Sequence, residues 1–269
     1  MAEPAGPGGR AGAGERVALV TGASSGLGRA TAVALARAGY RLVLHGRDRE
    51  RLTTPPALAE ATAVTGDLAV PADVERLAAT ALSAHGRVDL LVSNAGVGWS
   101  GPLEAMDGDR AAAMLAVNLA APIALTRALL PHMLDRGTGR LAYVTSIAGR
   151  LGVAGEAVYA ATKGGLDAFA ESLRLELRGT GVAVTVLVPG VVDTPFFERR
   201  GAPYDRSRPR PLPAGRVAAA LVRGVAGART RSTPPAGCGC PSPSAAPPPA
   251  PTAAWRAGSA TASVERTRP

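Results

Sequence analysis

Short apolar runs alternate with longer stretches of helical periodicity from residue 16 onward. Uninterrupted apolar runs of this kind are typical of buried strands, and they fall at residues 17–20, 41–44, 62–64, 88–93, 141–145 and 182–188. Helices are predicted in the stretches between and after them, at residues 26–38, 48–52, 72–84, 107–134, 158–177 and 214–225. The alternation predicts an α/β fold, with a parallel sheet covered by helices on both faces.

Two predicted helices carry interruptions. Pro55 and Pro56 stop the helix that begins at residue 48, because proline cannot continue the backbone ladder. The long helix over 107–134 is expected to be perturbed near Asn118 and Pro122.

The two ends of the chain lack this pattern. Residues 1–15 are rich in Gly, Ala and Pro and have no apolar central region, so they predict a disordered leader rather than a signal peptide. Residues 228–269 contain no Leu, no Ile and one Val, and we predict a disordered tail that cannot supply a seventh strand. One domain is therefore expected, over residues 16–227.

Composition excludes several classes of function. The 269 residues are 46% hydrophobic, which suffices for one sizeable core. The net charge of +9 comes from scattered arginines, with no basic helix face, so no nucleic-acid partner is predicted. No uninterrupted apolar stretch of about 20 residues occurs, so no membrane span is expected and a cytoplasmic location is predicted. Cys238 and Cys240 lack further ligands nearby, so no metal site is predicted.

Lys163 is the only lysine in a chain with 30 basic residues, and it stands four residues after Tyr159. On a helix this spacing places both side chains on one face. A nearby ammonium favours the phenolate, so we expect the pKa of Tyr159 to lie below 10, by about 3 at most. Such a tyrosine is a candidate general acid or base. A surface lysine beside a surface tyrosine is the alternative.

Asn94 and Asn118 are the only asparagines. Asn118 falls inside a helical pattern, where asparagine is a mediocre helix former, so its amide is expected to have a specific partner or task. For both residues the alternative is a local cap or turn hydrogen bond.

Residues 21–28, Thr-Gly-Ala-Ser-Ser-Gly-Leu-Gly, lie between the first strand and the first helix. Glycines allow a tight turn and close backbone approach, and the helix N-terminus offers free amides to a phosphate. In this strand–turn–helix context the turn is a candidate dinucleotide site; a structural turn is the alternative.

The order of these motifs resembles the short-chain dehydrogenase/reductase family over residues 16–227. The resemblance rests on the glycine-rich turn, Asn94-Ala95-Gly96, Asn118, Ser146, Tyr159 with Lys163, and Pro189-Gly190 with Thr194. It implies a Rossmann-type fold and hydride transfer between NAD(P) and a carbonyl or alcohol.

The resemblance also implies roles for individual residues. Tyr159 would donate or accept the proton, Lys163 would lower the pKa of Tyr159 and hold the nicotinamide ribose, Ser146 would bond the substrate oxygen, and Asn118 would hold the helix kink and a water. The implied cofactor-binding residues are Gly22, Ser24, Ser25, Gly26, Leu27, Gly28, Arg47, Asp67, Leu68, Asn94, Ala95, Gly96, Tyr159, Lys163, Pro189, Gly190 and Thr194. A turn or cap role for Asp67, and a strand-end backbone bond for Ser146, remain open.

The end of the second strand bears on the choice of cofactor. No acid follows it directly to accept the ribose hydroxyls of NAD, whereas Arg47 can bond a 2′-phosphate. NADP is therefore predicted over NAD, although Asp48 follows at once and Ser25 stands where some NADP-dependent members carry a basic residue.

The substrate region is less informative. Candidate apolar wall residues are Trp99, Leu151, Val153, Pro189, Phe196 and Phe197, and residues 198–210, with five arginines, form either a lid or a solvated loop. A carbonyl reductase or alcohol dehydrogenase is favoured. A 3-oxoacyl thioester reductase and a non-catalytic NADP-binding protein are the alternatives. The resemblance further implies a homodimer through the helices at 107–134 and 158–177.

Overall fold

The computed structural model describes residues 16–205, 207–227 and 231–232. The strands in these ranges are β1 Val17–Val20, β2 Arg41–Gly46, β3 Thr62–Thr65, β4 Leu90–Ser93, β5 Gly139–Val144, β6 Val182–Leu187, β7 Val192–Asp193, β8 Leu212–Pro213 and β9 Arg231–Ser232. The helices are α1 Gly26–Arg37, α2 Arg49–Thr53, α3 Pro71–His85, α4 Gly108–Leu115, α5 Ala121–Asp135, α6 Ala148–Leu151, α7 Ala157–Glu176, α8 Phe196–Arg199 and α9 Ala214–Ala226. All six predicted strands and six predicted helices are present within a few residues of their expected bounds.

Seven strands form one parallel sheet in the order β3-β2-β1-β4-β5-β6-β9. β1 lies between β2 and β4, with Leu19 opposite Val43 on one side and Leu91 on the other. The strand order reverses at β1, and the crevice at such a switch point is where doubly wound sheets bind ligands. The predicted Rossmann-type arrangement is confirmed.

Side chains alternate between the two faces of the sheet, and each face is covered by helices. Leu19 points into a core layer that contains Leu77 of α3, Leu129 of α5 and Leu166 of α7. Its neighbour Val20 points into the opposite layer, which includes residues of α1 and α9. Burial on both faces explains why the strands are continuous apolar runs.

The prediction that the sheet lacks a seventh strand is wrong. Arg231–Ser232 pairs in parallel with Val186 and Leu187 of β6, so the edge of β6 is covered there. Pairing at a sheet edge uses backbone N–H and C=O groups, which every non-proline residue carries. The absence of apolar side chains was therefore no argument against a strand. The leader at 1–15 and the rest of the tail at 228–269 lie outside the described residues.

The long predicted helix is interrupted where expected. A π-helical segment, Ala116–Ala120, separates α4 from α5 and contains Asn118. Among the described residues, the stretch Gly108–Asp135 is long and apolar enough to cross a membrane by length and composition, with 44% of its most apolar window buried. Core helices of soluble proteins pass the same test, and here the stretch packs against α3 and α7.

Candidate active site

The glycine-rich turn after β1 leaves no room for side chains at two positions. A Cβ at Gly28 would lie 2.1 Å from the Gly22 carbonyl oxygen, and a Cβ at Gly22 would lie 2.8 Å from Cα of Ala95. Gly22 and Gly26 also adopt positive φ, at 66° and 53°. The turn is thus a closely packed cradle before the N-terminus of α1, and its bare backbone fits the phosphates of a dinucleotide.

Asn94, at the end of β4, braces this turn. Its Nδ2 donates to the carbonyl oxygens of Thr21 at 2.9 Å and Gly22 at 3.3 Å. The Thr21 hydroxyl in turn accepts the backbone N–H groups of Asn94 and Ala95, each at 3.0 Å. The amide of Asn94 therefore stabilises the shape of the cradle.

The end of β2 lies against the same turn. The N–H of Ala23 donates to the His45 carbonyl at 2.9 Å, and a Cβ on Gly46 would meet Ser24 at 3.1 Å. Arg47 follows immediately and is exposed, so its guanidinium is available to a ligand. Asp48, the acid next to it, caps α2 by accepting the N–H of Arg51 and also pairs with the Arg51 side chain.

Asp67 makes hydrogen bonds within the turn that follows β3. Its Oδ1 accepts the N–H of Ala69 at 2.9 Å, and its own N–H donates to Asp73 at 2.7 Å. The turn interpretation left open for Asp67 is thus present in the structure. Leu68 beside it is buried.

Residues after β6 close the other side of the cradle. A Cβ on Gly26 would lie 3.1 Å from the Thr194 side chain, so Thr194 packs directly on the start of α1. The Pro189 carbonyl accepts the N–H of Ile147 and ties this loop to the end of β5. The structure therefore brings the predicted residues at the ends of β1, β2, β4 and β6 to one edge of the sheet.

Tyr159 lies in the first turn of α7 and is 9% exposed. Burial raises the pKa of its phenol to about 12, against the lowering effect of its hydrogen bond with Ser146. Ser146 follows β5, and its Oγ also accepts the N–H of Ala148 at 3.2 Å. The expectation that the pKa of Tyr159 is lowered is wrong for the protein alone, because desolvation of the phenolate outweighs the favourable contacts.

Lys163 shares the face of α7 with Tyr159, as its spacing predicts. Its Nζ lies 5.9 Å from the centre of the Tyr159 ring and donates to the Val144 carbonyl at 3.0 Å. The residue is 3% exposed, and burial lowers the pKa of its ammonium to about 8. The surface interpretation of this pair is excluded.

Asn118 is fully buried and joins the π-helical segment to two other elements. Its Oδ1 accepts the N–H of Val97 at 2.9 Å, and its Nδ2 donates to the Val97 carbonyl at 2.8 Å and to Thr162 of α7 at 3.1 Å. Both amide hydrogens thus go to protein groups. The side chain fixes α7, and Tyr159 with it, against the loop after β4.

A cavity of about 180 Å³ opens beside Tyr159. Its walls are largely apolar and include Trp99, Leu103, Met106, Met114, Glu156 and Val158. Of the predicted wall residues, Trp99 lines this cavity. Val153 and Phe196 pack on the apolar cluster around Tyr159 but are not among the lining residues. Leu151 is 68% exposed and is not part of it, because it ends α6 on the outer surface.

The segment from Phe196 onward packs against the site, and one of its contacts was not indicated by the sequence. The Phe196 ring lies 5.4 Å from that of Tyr159, and the adjacent Phe197 packs on Tyr204. Arg200 forms a largely buried ion pair with Glu156. Because Glu156 and Arg200 are far apart in the sequence, no local sequence pattern links them, and the pair could be found only from the fold. The segment is therefore packed at the site, and the solvated-loop interpretation fits only its outer residues.

Comparison with known proteins identifies the protein family of this chain. A family model described as short chain dehydrogenase matches residues 16–205. The chain belongs to this family. A 1-deoxy-11-beta-hydroxypentalenate dehydrogenase of Streptomyces exfoliatus is 42% identical over 201 residues, which cover 70% of this chain and 71% of that protein.

Two solved structures of this short-chain dehydrogenase/reductase fold carry nicotinamide cofactors. A short-chain dehydrogenase from Sphingobium yanoikuyae in complex with NADPH has a TM-score of 0.76 at 28% identity, covering 82% of this chain and 88% of that one. A 3-ketoacyl-(acyl-carrier-protein) reductase from Brucella melitensis complexed with NADH has a TM-score of 0.75 at 27% identity, covering 81% and 96%. The chain is an oxidoreductase of this family, and its relatives bind both forms of the cofactor.

Proposed function

We propose that the protein is an NADP-dependent carbonyl reductase or alcohol dehydrogenase in which Tyr159 is the general acid and base. The observation that carries the proposal is the position of Tyr159. Its phenol shares a hydrogen bond with Ser146, borders an apolar cavity, and has the ammonium of Lys163 one helical turn away. This set stands at the sheet edge that also forms the glycine cradle.

The raised pKa of Tyr159 suits proton donation in the reductive direction. At neutral pH the phenol is protonated, since burial holds its pKa near 12. When bound, the nicotinamide supplies the hydride to the carbonyl carbon. Tyr159 gives its proton to the carbonyl oxygen, and Ser146 donates a hydrogen bond to the same oxygen. The protonated Lys163 stabilises the phenolate that remains, until a proton from solvent restores the phenol.

The apolar walls of the cavity orient the remainder of the substrate and exclude water. Trp99, Met106 and Val158 offer no charge to a ligand, and the one carboxylate in the lining, Glu156, is paired with Arg200. A neutral, largely apolar ketone or secondary alcohol is the class of substrate that fits these walls best.

A panel of carbonyl compounds tests the proposed activity. We expect the purified protein to oxidise NADPH only when a ketone, a sugar or an acyl thioester is present, with apolar ketones turned over fastest. Thermal unfolding with and without NADPH is run in parallel, because a ligand that binds only the folded state raises its stability. NADPH-dependent stabilisation without turnover of any carbonyl would support a binding protein instead.

The cofactor assignment rests on Arg47 and has its own test. Replacing Arg47 by Asp removes a phosphate donor and adds a repelling charge. The ratio of kcat/KM with NADPH to that with NADH should fall at least tenfold. An unchanged ratio would remove Arg47 from this role.

A 3-oxoacyl thioester reductase is the second candidate. The solved relative of that activity favours it, and so does the exposed Arg208, since a positive surface charge suits an acidic carrier. Turnover of acyl thioesters ahead of simple ketones in the same panel would select it.

A further inference from the structure

The exposed face of the glycine turn gathers arginines from three separate parts of the chain. Arg29 comes from α1, Arg47 and Arg51 from the end of β2 and from α2, and Arg199 from α8. Like charges that converge without a ligand repel each other, so such a cluster indicates an anion site.

Arg199 reaches the turn directly. Its Nη1 donates to the hydroxyl of Ser25 at 3.1 Å, across 174 residues of sequence. Burial lowers the pKa of Arg199 first, and the positive charges of Arg47 and Arg51 lower it further. Arg199, bonded to Ser25, therefore lies within the electrostatic influence of Arg47 and Arg51.

The turn itself is held against the arginines by further contacts. Arg29 donates to the Ser24 carbonyl and, at 3.3 Å, to the Arg51 carbonyl, which ties the glycine turn to α2. Two acids lie nearby. Asp48 is paired with Arg51, and Glu198 partly offsets the charge of Arg199. Four guanidiniums against two carboxylates leave a net positive site.

We propose that Arg199 is a specificity residue for the cofactor, completing with Arg47 and Ser25 a site for the 2′-phosphate of NADP. The inference rests on the proposed NADP-dependent function. The pyrophosphate, common to both cofactors, would lie on the amides at the start of α1. The end of β2, which carries Arg47, is the part of this fold that meets the adenine-side ribose. Arg199 stands on that ribose side, beside Ser25, so its charge selects between the two cofactors.

The same short helix contacts the candidate catalytic tyrosine. Phe196, the first residue of α8, packs on the ring of Tyr159, and Arg199, the last, bonds Ser25. A 2′-phosphate held by Arg199 would therefore also fix α8, and Phe196 with it, against the ring of Tyr159.

Calorimetric binding measurements distinguish contacts with the 2′-phosphate of the cofactor from contacts with its pyrophosphate. Dissociation constants are measured for NADPH and NADH, and for the fragments 2′,5′-ADP and 5′-AMP, with the full-length protein and its Arg199→Ala, Arg199→Lys and Arg210→Ala variants. Arg210 is the matched control, because it is an exposed arginine of the same segment and its loss changes the net charge equally. The midpoint of thermal unfolding of each variant checks that it is folded.

We expect Arg199→Ala to weaken NADPH and 2′,5′-ADP about tenfold, as for the loss of one charge-assisted hydrogen bond, and to leave NADH and 5′-AMP within twofold. Arg199→Lys should retain part of the affinity, and Arg210→Ala all of it. Equal weakening of NADPH and NADH would place Arg199 on the pyrophosphate and overturn the inference, as would unchanged NADPH binding. Tight, selective binding of NADPH by a wild-type protein that reduces no carbonyl would refute the proposed activity and leave the phosphate site standing.

Discussion

At the scale of single residues, rarity in the sequence singled out side chains that lie together at one edge of the sheet, but it did not indicate their pKa values. Lys163, Tyr159 and Asn118 all lie at the candidate site, and Asn94 braces the cradle beside it. The direction of the Tyr159 pKa was wrong because it depends on burial, which the sequence does not reveal. Desolvation raises the pKa of the phenol and lowers that of the ammonium, so each residue is held nearer its neutral form.

The buried ammonium of Lys163 should make stability depend on pH. Its pKa is about 8 in the folded protein, below the usual 10.5, so the unfolded state binds more protons between these values. Stability should therefore rise with pH through this window, and the charge costs about 3 kcal/mol at pH 7. Lys163→Met removes that cost. The variant should be more stable than the wild type at pH 7, with an advantage that shrinks towards pH 10.

Urea unfolding of the cofactor-free wild type and Lys163→Met between pH 7 and pH 10 measures the difference in their free energies of unfolding. Groups that titrate equally in the two proteins cancel from it. A difference that stays constant across the range would mean that Lys163 is not held near its neutral form.

At the scale of secondary-structure elements, long periodic segments were predictable and short ones were not. The strands and long helices follow from apolar periodicity, and Asn118 marked the site of the π-helical segment. The short elements α6, α8, β7 and β8 have two to four residues each and no repeat from which to read a period. One of them, α8, carries Arg199, whose contact with Ser25 could not be found by pattern analysis.

The contact between α6 and α7 gives a prediction at this scale. A Cβ on Gly149 of α6 would lie 2.6 Å from the backbone nitrogen of Gly164 and 2.7 Å from the carbonyl carbon of Lys163. Gly149→Ala should therefore push α7 outward, cost about 1–3 kcal/mol and reduce kcat, because α7 carries Tyr159 and Lys163.

Gly215→Ala in α9 is the matched control, since a Cβ there meets nothing within 4 Å. That variant should match or exceed wild-type stability, because alanine favours a helix over glycine. Denaturant midpoints and turnover of the two variants decide the matter. Equal behaviour would show that the α6–α7 contact is not tight.

At the scale of the whole molecule, strand–helix alternation predicted a parallel sheet with a core layer on each face. It did not predict the edge strand β9 beside β6. β9 was missed because two backbone pairs need no apolar side chain.

The expected homodimer is also a property of the whole molecule. Several large apolar side chains are exposed on the helices predicted to form its interface. Leu115 of α4 is 47% exposed and Leu175 of α7 is 50% exposed.

We expect these leucines to be covered by a second copy of the chain, since an interface buries large apolar side chains that a single copy leaves exposed. Replacing either Leu115 or Leu175 by Asp should shift the protein from dimer to monomer in light scattering at micromolar concentration. Leu151→Asp, in α6 and 68% exposed, is the control and should leave the mass unchanged. A wild-type monomer would contradict the expected dimer, and a dimer that survives both substitutions would place the interface elsewhere.

The central claim is that Tyr159 supplies the proton for hydride transfer to a carbonyl. It is tested most directly with NADPH deuterated at both C4 positions and the best substrate of the carbonyl panel, for the wild type and Tyr159→Phe. Mass spectrometry should find one deuterium at the former carbonyl carbon of the wild-type product. Tyr159→Phe should turn over at least about 100-fold more slowly while its dissociation constant for NADPH stays within a few fold, because only the transferable proton is lost. Deuterium-free product from the wild type, or near wild-type turnover by Tyr159→Phe, would contradict the account.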